Sequence, residues 1–168
     1  MPTSDADDSS VRPTPLDDIL VPHDTKKESV AAAGHAFRIA QMFDSTVHGL
    51  YAVESSNVLD GPSSDDAEYS HEEIDAIVRQ ELERQGDAAL TQMADRAESR
   101  GVSFVREIRT ASATQAILDY AEENDIDMIV MGKGRRKIDG PSTIGGDLLH
   151  VLQWTDIPVL TVSNPVKL

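Results

Sequence analysis

Apolar and polar positions follow two alternating periods along this chain. Ile19, Leu20 and Val21 form a short apolar run ended by Pro22, and from Thr25 to Phe43 the positions Val30, Ala33, Phe37, Ala40 and Phe43 recur at helical spacing. The pattern predicts a strand and then a helix. Thr46 to Val53 has the β-branched and aromatic content of a second strand. Ser70 and Glu73 stand at capping-box spacing ahead of an apolar stripe through Ile74, Ile77, Val78, Leu82, Ala89, Leu90, Met93 and Ala97, a long helix that Gly86 is expected to bend or weaken. Val102, Phe104 and Ile108 alternate with polar neighbours in a third strand, Val102 to Arg109. Ser112 and Gln115 repeat the capping box before Ile117, Leu118 and Ala121. A buried strand at Met128 to Met131, a helix from Ile144 to Leu152 and a last strand from Ile157 to Val162 complete the series.

Strands alternating with helices imply an α/β fold, an open doubly wound parallel sheet with right-handed crossovers and helices on both faces. In such sheets a ligand sits beyond the carboxyl ends of the strands, where the winding reverses, so the loops after the first and fourth strands are the places to search. Residues 1–15 are polar and acidic with three prolines and read as a disordered tail. The single domain then runs over 16–168, interrupted at 54–73 by an acidic, serine-rich surface loop.

Charge narrows the functions available. The 168 residues carry 30 acidic and 15 basic side chains, a formal net charge of -15. Affinity for nucleic acid comes from clustered cations that release counterions, so neither nucleic acid nor an anionic membrane is an expected partner. Asp outnumbers Glu 19 to 11 and Arg outnumbers Lys 10 to 5, a balance resembling proteins of salt-accumulating, halophilic cytoplasms, where ionic strength screens self-repulsion. The absence of cysteine excludes disulfides and thiolate chemistry. The sequence begins with no basic, apolar leader and nowhere runs 18 apolar residues together, so a cytoplasmic location is expected.

One segment reverses the prevailing charge. After the fourth strand come Gly132, Lys133, Gly134, Arg135, Arg136 and Lys137, and then Gly140, Pro141, Ser142, Thr143, Ile144, Gly145 and Gly146. Four cations within five positions, set among glycines and just before a helix, suit a small anion: glycine lets backbone amides approach closely, and the helix start supplies unpaired donors. A solvated surface turn would show the same composition. Neither GxxxxGK[ST] nor GxGxxG occurs.

These residues also carry a resemblance. Ile-Leu-Val-Pro-His-Asp at 19–24, Ala116-Ile117-Leu118 leading to Ala121-Glu122-Glu123, Asp127-Met128-Ile129-Val130-Met131-Gly132 and Ile157-Pro158-Val159-Leu160-Thr161-Val162 resemble the universal stress protein family, in order and at its spacing, from Leu16 to Ser163. The resemblance implies a five-stranded sheet in order 3-2-1-4-5, a homodimer formed through the last strand (Val159, Leu160, Thr161 and Val162) and, as in many members, bound ATP with Mg. It also implies a Rossmann-like fold of the adenine nucleotide alpha hydrolase-like kind. The family motif is Gly, two residues, Gly, nine residues, Gly, then Ser or Thr. Gly132 matches its first glycine and Gly145 its third. Gly134 stands one position early, so strict register puts Arg135 where the motif has glycine, and Gly146 replaces the hydroxyl residue. Lys133, Arg135 and Arg136 would supply charge-assisted bonds to phosphate, and Ser142 or Thr143 a substitute hydroxyl. By the same resemblance Asp24 sits beside the nucleoside, Pro22 shapes the turn, Ala52 gives a backbone contact to adenine and Met131 lines the base pocket. An N-cap role for Asp24 would need no ligand.

Other candidates are weaker. His23 has no Ser or Cys nucleophile at a recognisable spacing and reads as a polar turn residue; His35, His48, His71 and His150 are scattered. Asp60, Asp65, Asp66 and Glu68 follow no EF-hand pattern. Trp154 reads as a packing residue. The function that emerges is a stress-response protein binding ATP or a related adenine nucleotide. No evident general base is placed to activate water, although some members of the family hydrolyse ATP slowly. The alternative is a stress protein that binds no nucleotide and acts by dimerisation and partner binding. An adenylating enzyme lacks support, since no SGGxDS-like loop follows the first strand.

Overall fold

The computed structural model describes residues 15–54, 70–134 and 146–163. The elements are β1 (Asp18–Pro22), α1 (Lys27–Phe43), β2 (Thr46–Val53), α2 (His71–Glu98), β3 (Ser103–Thr110), α3 (Ala113–Glu123), β4 (Met128–Lys133), α4 (Gly146–Trp154) and β5 (Val159–Ser163). They form one five-stranded sheet in order β3-β2-β1-β4-β5, with every neighbouring pair parallel. This is the expected fold.

Two cores flank the sheet. On one face α1 and α2 pack Phe37, Ala33, Leu90 and Met93 against Ile19, Val21, Val47 and Val130. On the other, α3 and α4 pack Ile117, Tyr120, Leu148 and Val151 against Leu20, Leu50, Ile129 and Met131. The central strands β1 and β4 are buried from both sides, so their sequences are continuous apolar runs. Each such fully buried aliphatic or phenyl side chain contributes about 1.5–3 kcal/mol.

Boundaries move where local hydrogen bonds decide them. The Ser70–Glu73 box forms in both directions, so His71 to Glu73, expected in the loop, already belong to the helix. The second box forms only half: the Ser112 hydroxyl accepts the Gln115 amide at 3.3 Å, while the Gln115 side chain turns to Asp119. At Gly86, α2 continues without interruption, and the missing side chain lets the Tyr51 ring lie against the helix, where a Cβ would stand 2.5 Å from it. Pro22, expected to stop β1, is its last residue. Phe43 and Ile77, expected in apolar stripes, are exposed. His48 is not an isolated residue: its ring bridges Tyr120 Oη and Asp18 Oδ1, both at 2.8 Å. The tail to residue 14, most of the acidic loop and the segment 135–145 lie outside the described residues.

Candidate functional site

Parallel strands carry their C-terminal loops to one edge of the sheet, and there a cavity of about 270 Å³ opens between β1 and β4. Its floor and walls are largely apolar, from Leu50 and Ala52 of β2, Met131 of β4, Ile117 of α3 and Leu148 of α4. Its polar groups come from the β1–α1 turn and from helix starts.

The turn is held by its own side chains. Asp24 Oδ1 accepts the Lys26 amide at 3.1 Å and Oδ2 pairs with Lys26 Nζ at 3.3 Å. Between them Thr25 adopts a left-handed backbone, φ 66°, unusual for a β-branched residue. Lys26, not Asp24, is the N-cap of α1, and it offers no side-chain cap. Asp24 therefore braces the turn before the helix and leaves its carboxylate exposed at the cavity. Partial burial works to raise its pKa, but the hydrogen bonds from Lys26 and Ser29, with the Lys26 charge, together prevail and hold it below the usual carboxylate value. His23 is buried, its amide donates to the Leu50 carbonyl at 2.8 Å, and its Nδ1 has no partner among the described residues. Burial depresses its pKa against the opposing pull of Asp24, with Arg96 adding to the depression.

Gly132 answers a packing demand. A Cβ there would lie 2.5 Å from the Glu28 carbonyl carbon and 2.7 Å from both the Glu28 oxygen and the Ser29 amide nitrogen. The strand β4 and the start of α1 thus touch backbone to backbone. Gly134 has nothing within 4 Å of its Cβ position. Two further carboxylates mark helix starts: Glu54 Oε1 accepts the Ala113 amide at 2.6 Å, and Asp147 Oδ1 accepts the Thr114 hydroxyl at 3.0 Å.

Of the residues singled out in the sequence, Pro22, Asp24, Ala52, Met131, Gly132 and Gly134 line this one cavity. Lys133 ends β4 and Gly146 opens α4, both outside the lining. Arg135, Arg136, Ser142, Thr143 and Gly145 lie outside the described residues, as do Asp60, Asp65, Asp66 and Glu68. Among the described residues no group of three His, Asp or Glu is arranged to hold a metal ion. Sequence reasoning missed Glu54 and Asp147 and set His23 aside. An acid in the first turn after a glycine pair is a recognisable signal for Asp147; Glu54 acts across 59 residues and leaves none. At the lateral edge of the sheet beside β4, β5 exposes Leu160 and Thr161, half-buries Val159 and turns Val162 inward. Trp154, expected to pack, is 71% exposed just before that strand. No helix of the described residues is long and apolar enough to cross a membrane.

Comparisons with known proteins identify the family and the fold. Residues 15–163 match the model of the universal stress protein family. Universal stress protein MJ0531 of Methanocaldococcus jannaschii is 32% identical over 149 residues, covering 89% of this chain and 83% of that one. Two solved structures share the fold. One, a universal stress protein family member from Arabidopsis thaliana with AMP bound, is 14% identical with TM-score 0.62, over 89% of this chain and 93% of its own. The other, a universal stress protein in complex with cAMP, is 18% identical with TM-score 0.63, over 90% and 100%. With a family match across the whole described domain, this chain belongs to the universal stress protein family.

Proposed function

We propose that this chain binds ATP or a related adenine nucleotide at the carboxyl ends of β1 and β4 and acts as a dimeric, cytoplasmic stress-response regulator. The observation that carries the reading is the cavity itself: six residues picked out by sequence motif, from three separate strands and their loops, line a single apolar recess. The recess is just below the ~300–1,000 Å³ usual for small-molecule sites, a size suited to a nucleoside. Leu50, Ala52, Ile117 and Met131 supply apolar surface for a planar base, and the Asp24 carboxylate accepts hydrogen bonds from ribose hydroxyls or an amino group. Lys133, which ends β4, is a cation available to any phosphates, with Mg as a counterion. Family members with AMP and with cAMP bound support an adenine ligand. Dimerisation through β5 is supported by its place at the sheet edge, where unpaired backbone groups and exposed Leu160 invite a second strand.

A second reading, partner binding without nucleotide, draws on Gly132. Helix packing alone accounts for that glycine, so its presence does not require a phosphate. Calorimetric titration with adenosine, AMP and Mg-ATP separates the two: no heat from any at millimolar concentration rejects nucleotide binding. Asp24→Ala is expected to weaken adenosine binding at least about tenfold, from the roughly 1.5–3 kcal/mol of a charge-assisted hydrogen bond, with a smaller effect on the melting temperature.

A further inference from the structure

Three helix N-termini border the cavity, and each carries a carboxylate of this chain. At α1, Asp24 accepts the Lys26 amide and Glu28 stands in the first turn. At α3, Glu54 stands just outside the lining, and its Oε1 accepts at 2.6 Å the amide of Ala113, which is part of it. At α4, Asp147 occupies the first turn and is held in place by the Thr114 hydroxyl at 3.0 Å. A helix start attracts an external anion through unpaired amides and the positive end of its dipole. Here the chain's own acids answer that attraction, and Lys26, the one lysine among the described residues of the cavity wall, is already bridged to Asp24.

We propose that Asp147, with Glu54, sets the charge of the ligand, so that the cavity takes adenosine or a nucleotide with few charges in preference to ATP. This rests on the nucleotide reading above. Phosphates linked to a nucleoside in so small a recess extend past its rim, and Asp147 is exposed there at the start of α4. Its carboxylate repels them. Salt distinguishes this repulsion from attraction by cations: attraction is weakened by screening, whereas repulsion is relieved by it.

The test is calorimetric titration of the full chain with adenosine, AMP and ATP, without divalent cation, at low and high KCl. ATP is expected to bind about tenfold more weakly than adenosine at low salt, with the gap closing as salt is added. Asp147→Asn and Glu54→Gln, which keep an acceptor for Thr114 and for the Ala113 amide, are each expected to raise the ratio of ATP to adenosine affinity by about three- to tenfold. Thermal melts check that both variants fold. ATP binding more tightly than adenosine at low salt and weakening as salt rises would overturn the proposal while leaving nucleotide binding intact. An unchanged ratio in Asp147→Asn overturns it too, and no heat from any of the three ligands overturns both.

Discussion

Replacing Gly132 by Ala tests whether the first glycine of the family motif serves the ligand or the fold. The added Cβ would meet only backbone: the Glu28 carbonyl carbon at 2.5 Å, its oxygen at 2.7 Å and the Ser29 nitrogen at 2.7 Å. None of these is the end of a flexible side chain, so relief requires moving a strand or a helix. The strand is pinned on both sides, to β1 through Met128 and Ile129 and to β5 through Gly132 itself. The helix carries Ala33, Ala36, Phe37 and Ala40 into the core and cannot retreat without opening it. Overpacking of this kind costs about 1–3 kcal/mol. At about 2–4 °C per kcal/mol for a chain of this size, the melting temperature should fall by about 2–12 °C. Gly134→Ala is the control, with open space at its Cβ position, and should stay within about 0.5 kcal/mol of the parent. Urea unfolding followed by circular dichroism, without nucleotide and at fixed salt, measures both. If Gly132→Ala matches the parent in stability while losing ligand affinity, the glycine serves the ligand and the packing argument is wrong.

Two other groups give independent predictions. Because burial depresses the His23 pKa, the unfolded chain takes up its proton first as pH falls, so the His23 contribution to stability is complete above about 6.5 and lost below it. Stability curves of the parent and His23→Gln should therefore converge or cross between pH 8 and 5, and parallel curves would refute the assignment. Asp127 Oδ2 accepts the amides of Asp17 at 2.8 Å and Asp18 at 2.9 Å, tying β4 to the start of β1. Asp127→Ala should cost about 1.5–3 kcal/mol in urea unfolding, and Asp127→Asn, which keeps one acceptor oxygen, visibly less.

The strands and helices were legible because each obeys a local rule. Ile19 to Val21 and Met128 to Met131 read as buried strands since both faces of a central parallel strand are covered, and the Ser70 cap shows in four consecutive residues. The site was legible where motif and loop coincide, at Pro22, Asp24 and Gly132. What stayed hidden depends on partners far away in sequence. His48 looks like a stray histidine until β2 and α3 bring Tyr120 to it, and Gly86 looks like a helix breaker until Tyr51 arrives. Trp154 was misjudged for the opposite reason: composition marks it as core material, and the fold leaves it outside beside an edge strand.

Charge shows the same division more sharply. Along the sequence the cations at 133–137 form a local island, and removing those four leaves -19 in the rest of the chain, so a linear reading finds one place for an anion. Folding adds a second distribution that no window can contain. Asp24, Glu54 and Asp147 are dispersed through the chain, yet the parallel sheet carries all three to its carboxyl edge and sets each at a helix start. A carboxylate at such a position is stabilised by about 0.3–1 kcal/mol through the helix dipole, so these acids strengthen the fold in the places where an empty helix end would have strengthened phosphate binding. On the proposal above, an acid-rich chain keeps a nucleoside-sized recess and discriminates against highly charged ligands, with ambient salt as the variable that sets how strongly.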